Sequence, residues 1–213
     1  MATGSIPELI LASGSARRRE LLSMCGYRFT VIKSEAEEGG VTSDSPAGLV
    51  EKLALLKARK VLLSLPDERR KNAVVLGSDT VVVLDGNIIG KPSSREEAFT
   101  MLRSGSGREN EVFTGLATAR IGRDPDSGEE RVLGSAVSDR ALVRFSELTD
   151  EEIDAYIATG DPMDKAGAYG IQGVFSMFIE RVEGSYFTVV GLPLHLVYRE
   201  LKKHGILPEM IGR

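Results

Sequence analysis

The chain has 213 residues, enough for one domain, or one with two lobes, and a substantial buried core. Its 42% hydrophobic and 27% charged content suits a soluble globular protein and excludes a mainly disordered one. A net charge of −4 speaks against a general nucleic-acid binder, one cysteine excludes an intrachain disulfide framework and a Cys-rich zinc site, and two histidines exclude a multi-His metal centre.

Met1 to Glu8 has neither a basic start nor a long apolar run, so it reads as an N-terminal tail rather than a secretory signal. Residues 9–213 read as a single two-lobed domain. No run of about 18 apolar residues suggests a membrane span, and the expected location is the cytoplasm. Leu9-Ile10-Leu11-Ala12 suits a buried strand. It ends at Ser13-Gly14-Ser15, and a helix is expected over Ala16 to Met24. Phe29 to Ile32 suits a second strand, followed by an acidic loop from Ser34 to Gly40. Ser45-Pro46 carries a cap and an N1 proline for a helix that Pro66 and the charged run Asp67 to Lys71 end. Val74-Val75-Leu76 and Val81-Val82-Val83-Leu84 read as two strands around Gly77-Ser78-Asp79-Thr80. Asp85-Gly86 signals a hairpin that returns through Ile88-Ile89.

Ser94-x-x-Glu97 is a capping box for a helix that faces Ala98, Met101 and Leu102 inward and stops at Ser104 to Gly107. Glu111 to Ile121 and Val132 to Phe145 read as strands joined by a surface turn at Gly122 to Glu130. Thr149-x-x-Glu152 opens another capped helix, which ends at Gly160. Asp161 to Gly173 is polar and glycine-rich. Val174 to Ile179 and Tyr186 to Val190 read as strands, and Leu192-Pro193 starts a final helix towards Gly205. Interleaved helices and strands with short turns predict an α/β fold around a mixed sheet.

Five segments suit chemistry. Arg17-Arg18-Arg19 sits at a helix start, where the dipole opposes cations, an arrangement that makes sense if an anion binds there; a solvated basic face is the alternative. Asp79 suits a metal ligand or general base at a strand end, or a turn former that bonds its own backbone. Glu35, Glu37 and Glu38 are oxygen donors of the kind Mg²⁺ or Mn²⁺ takes when a phosphate shares the ion, or a solvated acidic loop. Lys91, fixed by Pro92, suits a phosphate-binding point charge or an exposed hairpin lysine. In Gly160 to Gly173, four glycines imply close backbone approach or positive φ, Asp164-Lys165 is a charge pair, and Gln172 offers an amide suited to a base edge. His195 and His204 read as surface or packing residues, and Cys25 as a small core filler.

Taken together, Ser13-Gly14-Ser15-Ala16-Arg17-Arg18-Arg19-Glu20-Leu21-Leu22, Gly77-Ser78-Asp79-Thr80, Gly90-Lys91-Pro92, Phe113-Thr114-Gly115, the segment from Asp164 to Gly173 and Gly191-Leu192-Pro193 resemble the Maf family of nucleoside triphosphate pyrophosphatases. The resemblance runs in order from about Leu9 to about Leu201. It implies a two-lobed α/β fold, similar to that of the inosine triphosphate pyrophosphatases, with the active cleft between the lobes. It also implies hydrolysis of a nucleoside triphosphate to the monophosphate and pyrophosphate with a divalent metal cation, Mg²⁺ or Mn²⁺. Arg17, Thr80 and Gln172 resemble the specificity positions of the branch that acts on dTTP and UTP. A sister branch acting on 7-methyl-GTP has Trp, Gln and Glu there.

By the same resemblance Asp79 is the proton acceptor and, with Glu38, a metal ligand, while Ser13, Arg18, Lys57, Lys91 and Lys165 line the phosphate site. The resemblance implies a homodimer, while the net charge of −4 and the lack of a long apolar run lead one to expect no nucleic-acid or membrane partner. The chain departs from the family pattern at Ala16, where Pro is usual, at Asn110, where His is common, and at Ala141, where Thr is common. The resemblance also carries a second reading, a nucleotide-binding regulator of septum formation with little turnover, or a role in cell-division arrest beside one in cleaning the nucleotide pool.

Overall fold

The short apolar runs and helical faces that interleave along the chain close into one mixed sheet in the computed structural model, which describes residues 6–124 and 128–211. In chain order the elements are β1 (Glu8–Leu11), α1 (Ala16–Met24), β2 (Thr30–Val31), α2 (Pro46–Ser64), α3 (Asp67–Lys71), β3 (Ala73–Leu84), β4 (Asn87–Ile89), α4 (Arg95–Gly105), β5 (Glu109–Arg123), β6 (Glu130–Phe145), α5 (Asp150–Ala158), β7 (Ile179–Glu183), α6 (Tyr186–Val190) and α7 (Leu194–Lys202), with 3₁₀ turns at Asp161–Asp164, Ala166–Ala168 and Val174–Phe178. Residues 1–5 of the expected tail, 125–127 of the expected turn and 212–213 lie outside the described residues. Glu8, read as tail, is the first residue of β1. No helix among the described residues is long and apolar enough to cross a membrane.

The strand order is β2-β1-β3-β5-β6-β7, with β4 also on β3. β1 runs parallel to β2 and β3, and the other pairs are antiparallel. This is the mixed sheet that the sequence predicts.

β3 corrects one expectation. The two predicted strands are one, running straight through Gly77-Ser78-Asp79-Thr80, and Asp79 lies mid-strand rather than at a strand end. The glycine that resembled a turn signal serves close packing instead. A Cβ on Gly77 would lie 2.2 Å from the Ala54 carbonyl oxygen of α2, and one on Gly115 of β5 would lie 2.2 Å from that of Val50. Helix α2 therefore rests directly on the sheet.

Alternation along β3 sorts its side chains by face. Ala73 and Val75 pack with Ala58, Val61 and Leu62 of α2, and Val81 and Val83 pack with Val50. Val74 and Leu76 face the other way, against Leu21 and Leu22 of α1 and Val197 and Leu201 of α7, and Val82 joins Ala98 and Leu102 of α4. Burying each such side chain is worth about 1.5–3 kcal/mol.

One edge of β3 positions the site. β5 covers the other edge from Val75 to Val83, while on this edge β1 pairs with Ala73–Leu76 and β4 with Val82–Leu84. Between them, on this edge, Gly77 to Val81 has no strand partner among the described residues, and the cleft opens there.

Two further expectations are corrected. Val174 to Phe178 is a 3₁₀ turn and only Ile179–Glu183 is strand, while Tyr186–Val190 is helix α6. Short apolar runs do not distinguish strand from helix by periodicity. The 3₁₀ spacing puts Phe175 and Phe178 on one side, where Phe175 meets Phe145 and Tyr156, each at 4.9 Å between ring centres. The charged run Asp67–Lys71 forms helix α3, with its acids in the first turn and its bases in the last, as the helix dipole favours. Strand β2 is confined to Thr30–Val31. The capping box at Thr149 and Glu152 closes fully, whereas Glu97 reaches back to Ser93 instead of Ser94.

Candidate active site

Asp79 projects from β3 towards α2, where Lys57 meets it. The Lys57 ammonium donates to Asp79 Oδ1 at 2.5 Å and lies 3.0 Å from Glu38 Oε1. Of the three carboxylates in the acidic loop, Glu38 is the one that lines the cleft. Lys57 and Asp79 keep 14% and 12% of their side chains exposed, so a ligand in the cleft reaches both. A nearly buried ion pair adds little net stability, because desolvation offsets the attraction. Its consequence here is a fixed pair of carboxylates held by one cation.

Thr80, the next residue, points to the opposite face. Arg18 of α1 donates from Nε to the Gly191 carbonyl at 2.8 Å, from Nη1 to Ser13 Oγ at 3.3 Å and from Nη2 to Thr80 Oγ1 at 3.1 Å. Ser78 Oγ donates to the same Gly191 carbonyl at 3.1 Å. Thr114 donates to the Thr188 carbonyl at 2.7 Å and has a single hydroxyl proton, so Thr80 is the donor in the 2.9 Å contact between the two threonines. The Thr80 proton is thus committed inside the protein. Burial among neutral acceptors pushes the Arg18 pKa down, while Asp79 and Glu38 pull it up by their charge. Arg18 ties β3, the Ser13 turn and the end of α6 together.

Lys165 is also fully engaged. Its ammonium donates to the Asp161 carbonyl at 2.6 Å, to Asp161 Oδ1 at 2.9 Å and to Asp164 Oδ1 at 2.7 Å, which uses its three protons. Tyr156 donates to Asp161 Oδ2 at 2.6 Å and accepts from the Gly170 N–H at 3.3 Å. Burial, then the bond to Asp161, raises the Tyr156 hydroxyl. Lys165 holds the Asp164 carboxyl below its ordinary range, and the bonds from Tyr156 and Lys165 do the same for Asp161 against its burial. Gly160, Gly167 and Gly173 adopt φ of 77°, 70° and 87°, as the glycine content of this loop predicts.

Two adjoining cavities result. One, of about 410 Å³, has apolar walls from Ile88, Ile89, Ile171 and Val189 and includes Thr80, Lys165 and Gln172. The other, of about 550 Å³, opens at the Ser13-Gly14-Ser15 turn. Arg17, Arg18, Glu38, Lys57, Lys91 and Asp164 line both. Asp79 lies on the wall of the first, where the two meet at Lys57 and Glu38. The residues that the family resemblance assigns to the site therefore all reach this cleft, from Ser13 to Gln172, whereas Arg19, Glu35 and Glu37 line neither cavity. Their states differ: Arg18, Lys57 and Lys165 have partners, whereas the side chains of Arg17, Lys91 and Gln172 have no hydrogen bond or ion pair among the described residues.

Lys33, which borders the second cavity, is a residue the sequence reading misses. It stands one position ahead of the acidic loop and belongs to no motif. His195 and His204 lie outside both cavities. At the positions of departure, Asn110 is buried with Nδ2 unpartnered, and Ala141 is buried in β6.

Among the described residues no three His, Cys, Asp or Glu side chains group to hold a metal ion. Asp79 and Glu38 are two hard oxygen donors on one cation. They fit an ion such as Mg²⁺ that keeps several waters and shares the phosphates of its ligand, rather than one held in an all-protein cage.

Comparison with known proteins bears on this geometry. The family model described as "Maf-like protein" matches residues 8–204. The chain is 47% identical over 198 residues to the dTTP/UTP pyrophosphatase of Symbiobacterium thermophilum, covering 93% of this chain and 94% of that one. It is 45% identical over 199 residues to the dTTP/UTP pyrophosphatase of Bacillus anthracis, covering 93% and 96%. A Bacillus cereus protein of the same name is 44% identical over 202 residues, covering 95% and 92%.

Proposed function

The chain belongs to the family of Maf-like proteins, and on that premise we propose that it hydrolyses dTTP and UTP to the nucleoside monophosphate and pyrophosphate. The observation that carries the proposal is the Asp79–Lys57–Glu38 cluster where a cation-lined cavity meets one with apolar walls and a free amide. Such an arrangement suits a substrate with an apolar-faced base at one end and a polyanion at the other.

In this reading Asp79 orients a water and accepts its proton as the water oxygen attacks the α-phosphorus. The bond from that phosphorus to the bridging oxygen breaks, and pyrophosphate leaves with the electron pair. Lys57 holds Asp79 in place and offsets negative charge as it develops, the kind of electrostatic help on which phosphoryl transfer chiefly depends. Arg17 and Lys91 meet the phosphates. A divalent cation held by Asp79 and Glu38 would supply further charge neutralisation on the phosphate oxygens. Lys165, held by Asp161 and Asp164, orders the loop that carries Gln172, and Gln172 hydrogen-bonds the pyrimidine edge. Thr80, whose proton is already donated, acts on specificity through its remaining lone pair and through Arg18. A site built to satisfy polar groups rejects bases that leave them unpaired.

The test is pyrophosphate release by purified protein from dTTP, UTP, 7-methyl-GTP and purine triphosphates, with Mg²⁺, with Mn²⁺ and with chelator. Metal-dependent release from dTTP and UTP is the expected result. Release from 7-methyl-GTP alone keeps the reaction and overturns the base assignment, and nucleotide binding without release from any of them overturns the reaction. The lone free cysteine, Cys25, and this substrate class suit a cytoplasmic enzyme. The family resemblance suits a homodimer, which light scattering on the purified protein checks.

A further inference from the structure

We propose that Lys33 is a further substrate-binding residue, a cation for the pyrophosphate half of the triphosphate; this rests on the pyrophosphatase reading above. The sheet register supports it. Leu11 of β1 pairs with Val31 of β2 in parallel, and the Ile32 N–H donates to the Leu11 carbonyl at 3.1 Å. Two residues further along each chain, Ser13 and Lys33 leave the sheet side by side at the C-terminal end of the strands. Ligands of open α/β sheets bind at that end.

The aliphatic stem of Lys33 lies along the Gly14 turn: a Cβ on Gly14 would stand 3.4 Å from its Cγ and Cδ and 3.6 Å from its Cε, ordinary van der Waals contact. The side chain borders the cavity that opens at Ser13 and has no hydrogen bond or ion pair among the described residues.

Counting charge gives the second argument. Of the cations around the cleft, Lys57 is paired with Asp79 and Glu38 and Lys165 with Asp161 and Asp164, while Arg18 keeps its charge but spends three of its five N–H donors on neutral acceptors. Among the described residues Arg17, Lys33 and Lys91 have no such partners and keep all their donors for phosphate. Beside the divalent cation that Asp79 and Glu38 would hold, these unpartnered cations are the ones placed to follow the phosphates, and pyrophosphate keeps most of the triphosphate's negative charge after the bond breaks. Lys33 borders only the cavity at the Ser13 turn, whereas Arg17 and Lys91 border both cavities. Its contact is therefore with the departing phosphates and not with the nucleoside.

The test titrates inorganic pyrophosphate, and separately dTMP and UMP, into wild type, Lys33→Ala, Lys33→Arg and the surface control Lys60→Ala by calorimetry at near-physiological salt. Loss of one charge-assisted contact predicts about tenfold weaker pyrophosphate binding in Lys33→Ala. Lys33→Arg and Lys60→Ala should stay close to wild type, and the monophosphates should bind all four alike. KM for dTTP and UTP rises by a similar factor with kcat nearly unchanged, the mark of binding lost equally in ground and transition states. The proposal is overturned if Lys33→Ala binds pyrophosphate as wild type does, if Lys60→Ala loses as much, or if wild type binds no pyrophosphate. A wild-type protein that binds pyrophosphate yet releases none from dTTP or UTP refutes the enzyme reading alone, and the binding comparison still decides Lys33.

Discussion

Asp79 and Thr80 are neighbours on β3, yet they stand in two different environments. On the α2 side, two carboxylates and one ammonium leave a net negative charge beside the cleft. On the other side, one guanidinium is surrounded by carbonyls and hydroxyls and carries a net positive charge. Each side offsets the other through the strand, which is why Asp79 and Glu38 favour the charged form of Arg18 while burial opposes it. The two-residue period of a strand thus divides one four-residue motif between an ion-paired face at the cleft and a hydrogen-bonded face that ties β3 to α1 and the end of α6. Asp79 faces Lys57 and the cleft, while Ser78 bonds the Gly191 carbonyl and Thr80 bonds Arg18 and Thr114.

Three substitutions break that comparison in order of effect. On the proposed mechanism Asp79→Asn removes the proton acceptor and should lower kcat by about 10²–10⁴-fold, the usual range for a general base. Circular dichroism and gel filtration should show the fold intact, and a variant keeping a tenth of wild-type turnover removes Asp79 from that role. Gly77→Ala puts a methyl against the α2 backbone. Overpacking of this kind costs about 1–3 kcal/mol, and at this chain length each kcal/mol lowers Tm by roughly 2–4 °C. A melting temperature equal to wild type would mean that α2 does not rest on the sheet as described. Arg18→Lys keeps the charge but loses the fork. Buried acceptors left unpaired cost about 1–3 kcal/mol, so urea melts should shift while kcat falls far less than in Asp79→Asn. If the two variants lose kcat equally, both faces of β3 take part in the reaction.

Most of the cleft is legible in the sequence, because its motifs stand at chain positions that the strand and helix patterns bring to one end of the sheet. The mixed sheet follows from alternating apolar runs and short turns. What sequence does not convey is which contact a small or charged residue makes. Gly77 looks like the first residue of a turn, and only the helix lying over it shows otherwise. Lys33 stands outside every motif, and its place becomes visible once Leu11 is paired with Val31. Arg18, Lys57 and Lys165 are indistinguishable from Arg17 and Lys91 as cations on a line of text. Their partners, which decide whether a phosphate finds them free, come from residues up to 173 positions away.

The smallest predicted effect concerns the loop that carries Gln172, where Lys165 joins two carboxylates much as Lys57 does. Asp164 sits below its ordinary range chiefly because Lys165 donates to it, and Asp161 does so despite burial because Tyr156 and Lys165 donate to it. A carboxyl whose folded pKa lies below its unfolded value binds its proton less readily when folded. Its stabilising contribution is therefore complete above the unfolded value, about 3.9, and disappears as pH falls through the folded one. Lys165→Met removes the ammonium, so its Tm should lie below that of wild type at neutral pH, with the gap closing as pH drops below about 4. Three-quarters of the Asp164 side chain is exposed, which screens the pair and keeps the gap small. The kinetic arm separates the two roles open to Lys165. If Lys165 only orders the loop, Lys165→Met raises KM for dTTP and UTP and leaves the binding of inorganic pyrophosphate unchanged, whereas if the lysine leaves its carboxylates for the substrate, the substitution weakens both.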